Sequence, residues 1–475
     1  MPRSREVYLL DPQVHSPETI AVAFAKTSRS PESFQKIASE LTGESSAQFN
    51  EKWVVGYGHS SIAEHAVLHI AVENVSRLAV ECLESNRLAS YTEKSTRYQK
   101  WNSDDYLIPH EFCEPSSRKL YIDTCRMLFD LYDEFLPVVI QSVTREYEGV
   151  PGETPARKER VILTAAGDIC RFLLPVSAYA NVGVTINARA LEHAITKMLS
   201  HPLNEVRDLG QEIKQIAQQS LPTLLKYANE QPSLIKTEDF FREYFQSVEF
   251  DREAYIQPGT RLISADPDLE EKIILSTIVR YSGLTYAQAE DFLLKQSPNT
   301  RDECIKNILG NLDEHDIPIR ELEYGDLTFE ILLDEGAYLE LKRHRMMTQT
   351  PAPFSTRYGY SIPLQIKQAG LLEKYEKGMD KVNEVYDTLH SISPDAASYI
   401  LPNAFNRLVI VQTNFRSFLH FVSLRSAPNA HFSMRRIAHQ MADHFIKTYP
   451  TLGRYLKVNR METASEIESR FFYRV

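Results

Sequence analysis

Three consecutive basic residues, Arg343, His344 and Arg345, form the group with the clearest chemical potential in this sequence. Two buried arginines beside a histidine repel one another, so such a cluster needs an anion to offset its charge. The guanidinium group binds phosphate through paired, charge-assisted hydrogen bonds. Arg357 and Arg425 follow in the same part of the chain and add to the positive charge. A single Arg-His-Arg triplet more often lies on a solvated protein surface. The triplet together with Arg357 and Arg425 instead favours binding of a phosphate-rich ligand.

The sequence repeats itself, and the repeat places this cluster in the second of two similar halves. Ser-Thr-Arg-Tyr occurs at residues 95–98 and again at 355–358. Each half then has Leu-Pro followed by Asn-x-Arg-x-x-x-His, with twelve residues from the proline to the asparagine. The two sets are Leu174, Pro175, Asn187, Arg189, His193 and Leu401, Pro402, Asn414, Arg416, His420. Equal spacing indicates a duplicated domain of roughly 230 residues.

The elements that must position these residues are both strands and helices. We predict a first copy over residues 1–233, a charged linker over 234–257 and a second copy over 258–475. Alternating apolar and polar residues predict strands at 67–72, 182–186, 326–331 and 408–410. Helical spacing of apolar residues marks 116–134, 156–174 and 429–446. Strands separated by long helical runs predict the α+β class, with helices on a small sheet in each copy.

Composition narrows the classes of protein that fit. The chain has 475 residues, a formal net charge of −11 and 43% hydrophobic residues, so it has ample apolar mass for a core. The acidic balance argues against coating of nucleic acid, and no apolar run reaches the length of a membrane span. The N-terminus lacks a secretory pattern, and five scattered cysteines without CxxC spacing are typical of reduced thiols. We therefore predict a cytoplasmic protein with no nucleic-acid or membrane partner.

A histidine-rich segment near residue 60 invites a metal interpretation. His65 and His69 are four residues apart, but Glu64 precedes them. The order differs from HExxH, which directs two imidazoles and a base at zinc. We predict no metal site there.

In the first half the segments GHSSIAEH, ESNRLASYTEKSTRY and LP…NARALEH occur in this order. The second half carries RHR, STRY, LPNAFNRLVIVQTNFRSFLHFVSLR and AHFSMRR. These segments resemble the flavin-dependent thymidylate synthase (ThyX-type) family, whose signature is RHR, seven residues and then Ser-x-Arg. The resemblance covers both halves and implies a tandem duplication of a domain with a small, mostly antiparallel sheet and packed helices. Family chains of about half this length form homotetramers that bind FAD and dUMP at chain interfaces.

Each half has lost a different part of the family's site. The first half keeps the loop from Glu93 to Arg97 and an arginine, Arg171, before Leu-Pro. It reads Ser85-Asn86-Arg87 in place of RHR and has Met198 where the family has its uracil arginine. The second half keeps RHR and the uracil arginine, Arg425. It has nine residues before its Ser-x-Arg, and Ser398 where the first half has Arg171.

The complementary losses predict one composite nucleotide site with parts from both halves. The resemblance implies that Arg425 is catalytic because it polarises the uracil ring. Ser95 is a better candidate for a phosphate-binding hydroxyl than for a nucleophile, since no base adjoins it in sequence. The implied substrate-binding residues are Arg343, Glu93, Ser95, Thr96, Arg97, Arg171 and Arg425. The implied flavin-binding residues are Arg343, His344, Arg345, Arg87, Glu93, Asn187, Arg189, His193, Asn414, Arg416, His420 and His65.

The resemblance implies FAD-dependent methylation of dUMP at C5 to dTMP, with methylene-tetrahydrofolate as methylene donor and NADPH as reductant. It also implies a homodimer that imitates the family's homotetramer. Glu340 and His431 stand where the family has glutamines, so two alternatives stay open. One is methylation or hydroxymethylation at C5 of another pyrimidine nucleotide. The other is a flavin- or nucleotide-binding homologue without catalysis.

Overall fold

Two antiparallel sheets, one in each half, organise the computed structural model, which describes residues 5–28, 30–95, 101–149, 151–248, 257–313 and 315–475. The first sheet has the order β1-β3-β2, from β1 (Val67–Ser76), β2 (Ala89–Glu93) and β3 (Tyr179–Asn187). Its central strand alternates: Ala180, Val182, Val184 and Ile186 are buried, and the residues between them are more exposed. This period of two is what a sheet with one covered face requires.

The second sheet repeats this arrangement with one more strand. It has the order β4-β5-β8-β6, from β4 (Gly259–Ala265), β5 (Asp326–Asp334), β6 (Thr348–Pro351) and β8 (Asn406–Asn414). Two short strands, β7 (Ile362–Pro363) and β9 (Phe472–Arg474), pair separately. Within the described residues, neighbouring strands of all these sheets pair antiparallel. The predicted α+β class and the four predicted strands are therefore confirmed.

Helices surround both sheets. Those of the first half are α1 (Pro17–Thr27), α2 (Phe34–Ser39), α3 (Gly43–Asn50), α4 (Arg77–Glu84), α5 (Pro115–Glu146), α6 (Pro155–Cys170), α7 (Ala188–Leu199), α8 (Asn204–Gln218) and α9 (Pro232–Ser247). Those of the second half are α10 (Leu269–Ser282), α11 (Tyr286–Leu294), α12 (Pro298–Leu309), α13 (Glu335–Leu341), α14 (Leu364–Gln368), α15 (Leu372–His390), α16 (Pro394–Ala397), α17 (Phe415–Arg425), α18 (Phe432–Thr448), α19 (Pro450–Gly453) and α20 (Ala464–Phe471). The three predicted helices fall on α5, α6 and α18. The predicted helix over 156–174 ends early, at Cys170, because a 3₁₀ turn precedes Leu174 and Pro175, and proline disfavours helix in the residue before it.

The asparagine of each repeated Asn-x-Arg motif begins a helix. Asn187 Oδ1 accepts a hydrogen bond of 2.9 Å from Ala190 N at the start of α7. Asn414 Oδ1 accepts one of 2.9 Å from Ser417 N at the start of α17. Asparagine is among the best residues for this capping position. The repeated spacing therefore fixes the helix that follows the central strand of each sheet.

The two Leu-Pro segments pair with each other about a local pseudo-twofold axis. Val176 N donates to Leu401 O and Asn403 N donates to Leu174 O, both at 3.0 Å. Further out, Ser177 N donates to Tyr399 O and Ala404 N to Phe172 O, both at 3.1 Å. Each bond has its counterpart at the equivalent position of the other half. This pairing sets the relative orientation of the two copies.

One hydrophobic core draws on both halves, whereas another belongs to the second half alone. The shared core packs α5 and α6 against residues of α15 such as Tyr375 and Met379. A Cβ on Gly378 would lie 2.6 Å from Leu131 Cδ1, so glycine allows α15 to lie close against α5. The second core lies between β5, β8, α10, α17 and α18. The hydrophobic core of the first copy is thus completed by residues of the second copy.

Helix α9 occupies much of the predicted linker and leaves Phe240, Phe241, Tyr244 and Phe245 exposed. The linker boundaries stay a prediction, because part of that stretch lies outside the described residues. Among the helices of the described ranges, none combines the length and the apolar character that a membrane crossing needs.

Met379→Ala in α15 tests whether the shared core is real. Met379 is fully buried in that core, so its truncation should cost about 2–5 kcal/mol of unfolding free energy. Both tryptophans, Trp53 and Trp101, lie in the first half, and Trp101 is buried in the shared core. We expect the substitution to lower the urea midpoint reported by tryptophan fluorescence.

The exposed Lys381→Ala on the same helix is the control and should leave that midpoint unchanged. An unshifted midpoint in Met379→Ala would show that α15 does not support the first-half core.

Candidate functional site

A cavity of about 280 Å³ lies where the two halves meet. The first half contributes Arg77, Lys94, Ser95 and Arg171, and the second contributes Glu340, Arg343 and Arg425. Among the residues that the structure describes, five cationic side chains and one carboxylate line the cavity. This charge balance suits an anionic ligand such as a phosphate ester. Every part of the composite site that the described residues contain is in or beside this cavity, whereas Thr96 and Arg97 lie outside those residues.

The pairing of the Leu-Pro segments positions Arg171 against the second half. Arg171 lies in the 3₁₀ turn just before Leu174, and it is 4% exposed. Its NH2 donates to Gly336 O at the start of α13, at 3.1 Å. A Cβ on Gly336 would lie 3.5 Å from that nitrogen, an ordinary van der Waals contact, so this hydrogen bond does not depend on glycine. Arg343 follows the end of α13, and Arg425 is the last residue of α17. The C-terminal ends of these two helices therefore line the same cavity as Arg171.

Two of the arginines that line the cavity each have a buried N–H group without a hydrogen-bond partner in the described residues. Nε of Arg77 and Nε of Arg171 are buried and have no hydrogen-bond partner within the described ranges. Buried donors in folded proteins are almost always paired, so an unpaired one requires an explanation.

Arg425 is held in place from two sides. Its NH1 donates to Glu340 Oε2 at 2.9 Å, and its NH2 donates to Glu340 O at 3.1 Å. Its Nε donates to His344 Nε2 at 2.9 Å. Burial, together with the charges of Arg425, His420 and Arg343, lowers the pKa of His344 to about 3. The imidazole is therefore neutral at physiological pH and can accept this bond.

The carboxylate of Glu340 is offset by two arginines. Besides Arg425, it faces Arg171, whose NH2 lies 3.9 Å from Glu340 Oε1. Glu340 is 8% exposed, so an unpaired charge there would be costly. The negative charge that Glu340 brings to the position of the family's glutamine is thus balanced by Arg171 and Arg425 of the same chain. His431, the other replacement, does not line the cavity; its Nε2 lies 3.2 Å from Asp168 O.

Glu93 connects the halves from behind the cavity. It pairs with Arg77 of its own half and with Arg343 of the other, at 3.2 Å from Oε2 to NH2. Burial disfavours the charged carboxylate, but Lys342, Arg77 and Arg343 together hold the pKa of Glu93 below its ordinary value. Arg77 was not predicted from the sequence. Its only signal was its place at the start of α4, equivalent to Glu335 at the start of α13.

A larger cavity of about 850 Å³ adjoins the first at Arg343, Leu424 and Arg425. Its volume is in the range of small-molecule and cofactor sites. Six of the predicted flavin residues line it: Arg343, His344, Arg345, Asn414, Arg416 and His420. Arg343 is half-exposed into this space, and a guanidinium is a suitable partner for a diphosphate. The donor set therefore fits FAD.

Arg345 and Arg87 connect the wall of the larger cavity to the first half. Arg345 NH1 donates to Arg87 O at 2.8 Å and also to Ala89 O, and its guanidinium lies over the Tyr91 ring. Arg87 NH2 in turn donates to Thr348 Oγ1 at 3.0 Å. Both arginines act here as connections between the halves.

Four predicted flavin residues of the first half lie apart from both cavities: His65, Asn187, Arg189 and His193. Arg189 pairs with Glu64 at 2.5 Å, just as Arg416 pairs with Glu323 at 2.6 Å in the second half. His65 and His193 are exposed. The structure does not bring this set to the composite site.

The mirror-image position is closed and acidic. Met198, at the place equivalent to Arg425, is fully buried in the core. Glu335 stands at the place equivalent to Arg77, and Arg407 NH1 lies 3.5 Å from it and 2.8 Å from Glu81. Burial raises the pKa of Glu335 to about 8, although Arg407 opposes this. Within the described residues, Arg407 is already paired with both carboxylates of this cluster, so it is not available to a second anionic ligand.

As for metals, the described residues contain no group of three or more His, Cys, Asp or Glu side chains that could hold an ion.

Comparison with known proteins gives one family and two kinds of relative. The model of the thymidylate synthase complementing protein family, Thy1, matches residues 9–223 and 261–451. A UPF0159 protein of Chlamydia muridarum is 29% identical over 88% of this chain and 82% of its own length. A UPF0159 protein of Thermoplasma acidophilum is 26% identical over 87% of this chain and 88% of its own. A flavin-dependent thymidylate synthase of Clostridium tetani is 27% identical over 45% of this chain and 82% of its own.

Among solved structures, a UMP/dUMP methylase, PolB from Streptomyces cacaoi bound with 5-Br dUMP, matches 43% of this chain and 99% of that chain. The identity is 17% and the TM-score is 0.34.

His344→Gln should change how stability depends on pH. The folded pKa of His344, about 3, lies below the ordinary value of roughly 6.5, so the unfolded chain takes up the proton first as pH falls. The wild type therefore loses stability below about pH 6.5 that the variant does not lose. We expect urea unfolding to show an extra loss of about 2 kcal/mol in the wild type between pH 7 and pH 5.

His193→Gln, at an exposed position, controls for removal of an imidazole in general. Parallel pH curves for the wild type and His344→Gln would show that His344 is not held neutral by the fold.

Proposed function

The chain belongs to the thymidylate synthase complementing protein family, Thy1, and on that premise we propose that it methylates dUMP at C5 to give dTMP. The methylene donor would be methylene-tetrahydrofolate, the cofactor FAD and the reductant NADPH. One observation carries this proposal: Arg171 of the first half and Arg343 and Arg425 of the second line one cavity. The complementary losses in the two halves thus leave one nearly complete set of arginines, of which Arg97 lies outside the described residues.

The charge of the smaller cavity supports a nucleotide monophosphate as its ligand. The residues of the first half that line the cavity include two arginines, Arg77 and Arg171, together with Ser95. We assign the phosphate to this side, because a dianion needs several charge-assisted donors. Arg425 lies on the opposite half and next to the larger cavity, so it takes the base.

Arg425 would activate the base by stabilising charge. Uracil C5 is a weak nucleophile, and a cation on the carbonyl edge stabilises the negative charge that spreads through N3 and O2. His344 and Glu340 already fix the guanidinium, so little reorganisation is needed when charge develops. Bound FAD would supply the redox chemistry, with Arg343 and Arg416 among the residues that hold it. Arg343 borders both cavities and would orient both ligands.

We further propose that two chains form a homodimer that imitates a four-subunit assembly. Each half offers a surface that separate chains of the family use for assembly. The first-half residues His65, Arg189 and His193 lie outside both cavities of a single chain, which accords with a role at such an interface. Light scattering of the purified protein would give twice the chain mass.

Arg425→Ala should abolish turnover and spare flavin binding. Removal of one donor that stabilises developing charge typically slows an enzyme about 10²- to 10³-fold. We expect that loss in the release of tritium from C5-labelled dUMP, while the flavin absorbance of the purified variant persists. Turnover close to that of the wild type would show that the reaction does not use this cavity.

Met198 offers the matched control at the mirror-image position. Because Met198 is fully buried, alanine there would open a hole in the core, so the control is the volume-conserving Met198→Leu. This variant should keep wild-type turnover.

The chain should bind one dUMP, not two. The mirror-image position has buried Met198 and Glu335 where the working site has arginines, so it cannot compensate a dianion. Calorimetric titration of dUMP into FAD-loaded protein should give one site per chain. Two equivalent sites per chain would show that the arginines were assigned to the wrong site, and no binding would favour a homologue without this activity.

A further inference from the structure

Glu84 of the first half and Lys342 of the second form a buried ion pair across the junction of the halves. Glu84 Oε2 lies 3.0 Å from Lys342 Nζ, and the side chains are 8% and 6% exposed. Glu84 is the last residue of α4, and Lys342 directly follows α13. Neither residue lines the smaller or the larger cavity. The pair therefore belongs to the contact between the halves and not to the ligand sites.

The two residues of this pair occupy the same position in the two copies. Ser76 caps α4 and Asp334 caps α13, each with its side chain. Each cap lies opposite the residue of the central strand that comes four positions after the proline of its Leu-Pro motif. Glu84 and Lys342 each lie eight residues beyond their cap. Repeat-equivalent positions therefore carry opposite charges.

Equivalent residues that contact each other lie close to the pseudo-twofold axis. Pro175 and Pro402 are another such pair, and they form an antiparallel bridge. In an association of two identical halves, a residue near the axis would meet its own copy. Glu84 would then face a second Glu84, or Lys342 a second Lys342. Two like charges buried this close together repel each other strongly.

A second ion pair across the junction also requires unlike halves. Glu81 of the first half lies 2.8 Å from Arg407 NH1 of the second. Arg407 is five residues after the proline of its Leu-Pro motif, and the equivalent residue of the first half is Ala180. In a contact between two first halves, Glu81 would therefore lose its arginine. A carboxylate left without its partner in such a contact is destabilising.

We propose that Glu84 and Lys342 determine which halves associate: the face with the Leu-Pro segment accepts the other kind of half and excludes a copy of itself. A buried ion pair often adds little stability over a neutral pair, whereas two like charges in its place are costly. Repulsion of the wrong partner is a general means of selection between similar surfaces. The chain therefore forms its junction from one first half and one second half. This selection concerns assembly and is independent of the proposed reaction.

Two charge reversals reproduce the contacts of like halves inside the intact chain. Lys342→Glu places a carboxylate against Glu84, as two first halves would, and Glu84→Lys places two ammonium groups together, as two second halves would. We expect each variant alone to have a urea midpoint lower by about 1 M and a roughly tenfold lower yield of soluble protein on refolding. Lys342 also faces Glu81 and Glu93 of the first half, so Lys342→Glu should be the less stable variant.

Refolding of the two variants as a mixture tests selection directly. Glu84→Lys chains have lysine at both positions and Lys342→Glu chains have glutamate at both, so opposite charges meet only between different chains. We expect the mixture to recover about five times more soluble protein than the two variants refolded separately. Native mass spectrometry should find both chains in equal numbers in the recovered particles.

Lys381→Glu is the matched control, because it reverses an exposed ion pair with Glu384 on α15. This variant should refold alone with the yield and the urea midpoint of the wild type. A mixture that recovers no more protein than its two components refolded separately would overturn the proposal. A wild-type midpoint in either reversal at the junction would overturn it as well, because like charges would then be tolerated there.

Discussion

The antiparallel pairing of the two Leu-Pro segments is the interaction on which the rest of the molecule depends. Four main-chain hydrogen bonds join residues on either side of Pro175 and Pro402, and each bond is repeated by the pseudo-twofold axis. Main-chain bonds of this kind fix orientation closely, because their geometry tolerates little displacement. They place Arg171 against α13 and bring the ends of α13 and α17 to face the first half. The smaller cavity exists because of that placement.

Charge pairing across the same junction holds the arginines ready for a ligand. Glu93 of the first half pairs with Arg343 of the second, and Arg171 of the first half approaches Glu340 of the second. These groups are largely buried, where a charge without a partner is strongly destabilising. The free protein therefore keeps its cations close together by alternating them with two carboxylates. The cost of assembling positive charge for an anionic ligand is met when the chain folds.

The elements with the clearest periodicity could be predicted from the sequence, and the contacts between halves could not. Residues 67–72 and 326–331 alternate because one face of each strand is buried, and this pattern is visible in the chain itself. The capping of α7 and α17 follows from asparagines at a fixed spacing. In contrast, Arg77 matches no motif, and its role follows only from the position of α4 beside Glu93. The sharing of one core by α5 and α15 was also hidden, since local apolar spacing does not tell which helix will cover another.

Covalent duplication explains how the mirror-image position could become a closed cluster of Glu81, Glu335 and Arg407. In an assembly of identical subunits every substitution appears at all equivalent sites at once, so a change that improves packing at one must be tolerated at each. A chain that contains both copies is free of this constraint, because each of two equivalent positions is encoded separately and can change alone. Catalytic and structural demands, which compete within a single symmetric surface, can then be divided between two surfaces. The two halves keep a pseudo-twofold arrangement of the backbone while the charges at their equivalent positions differ.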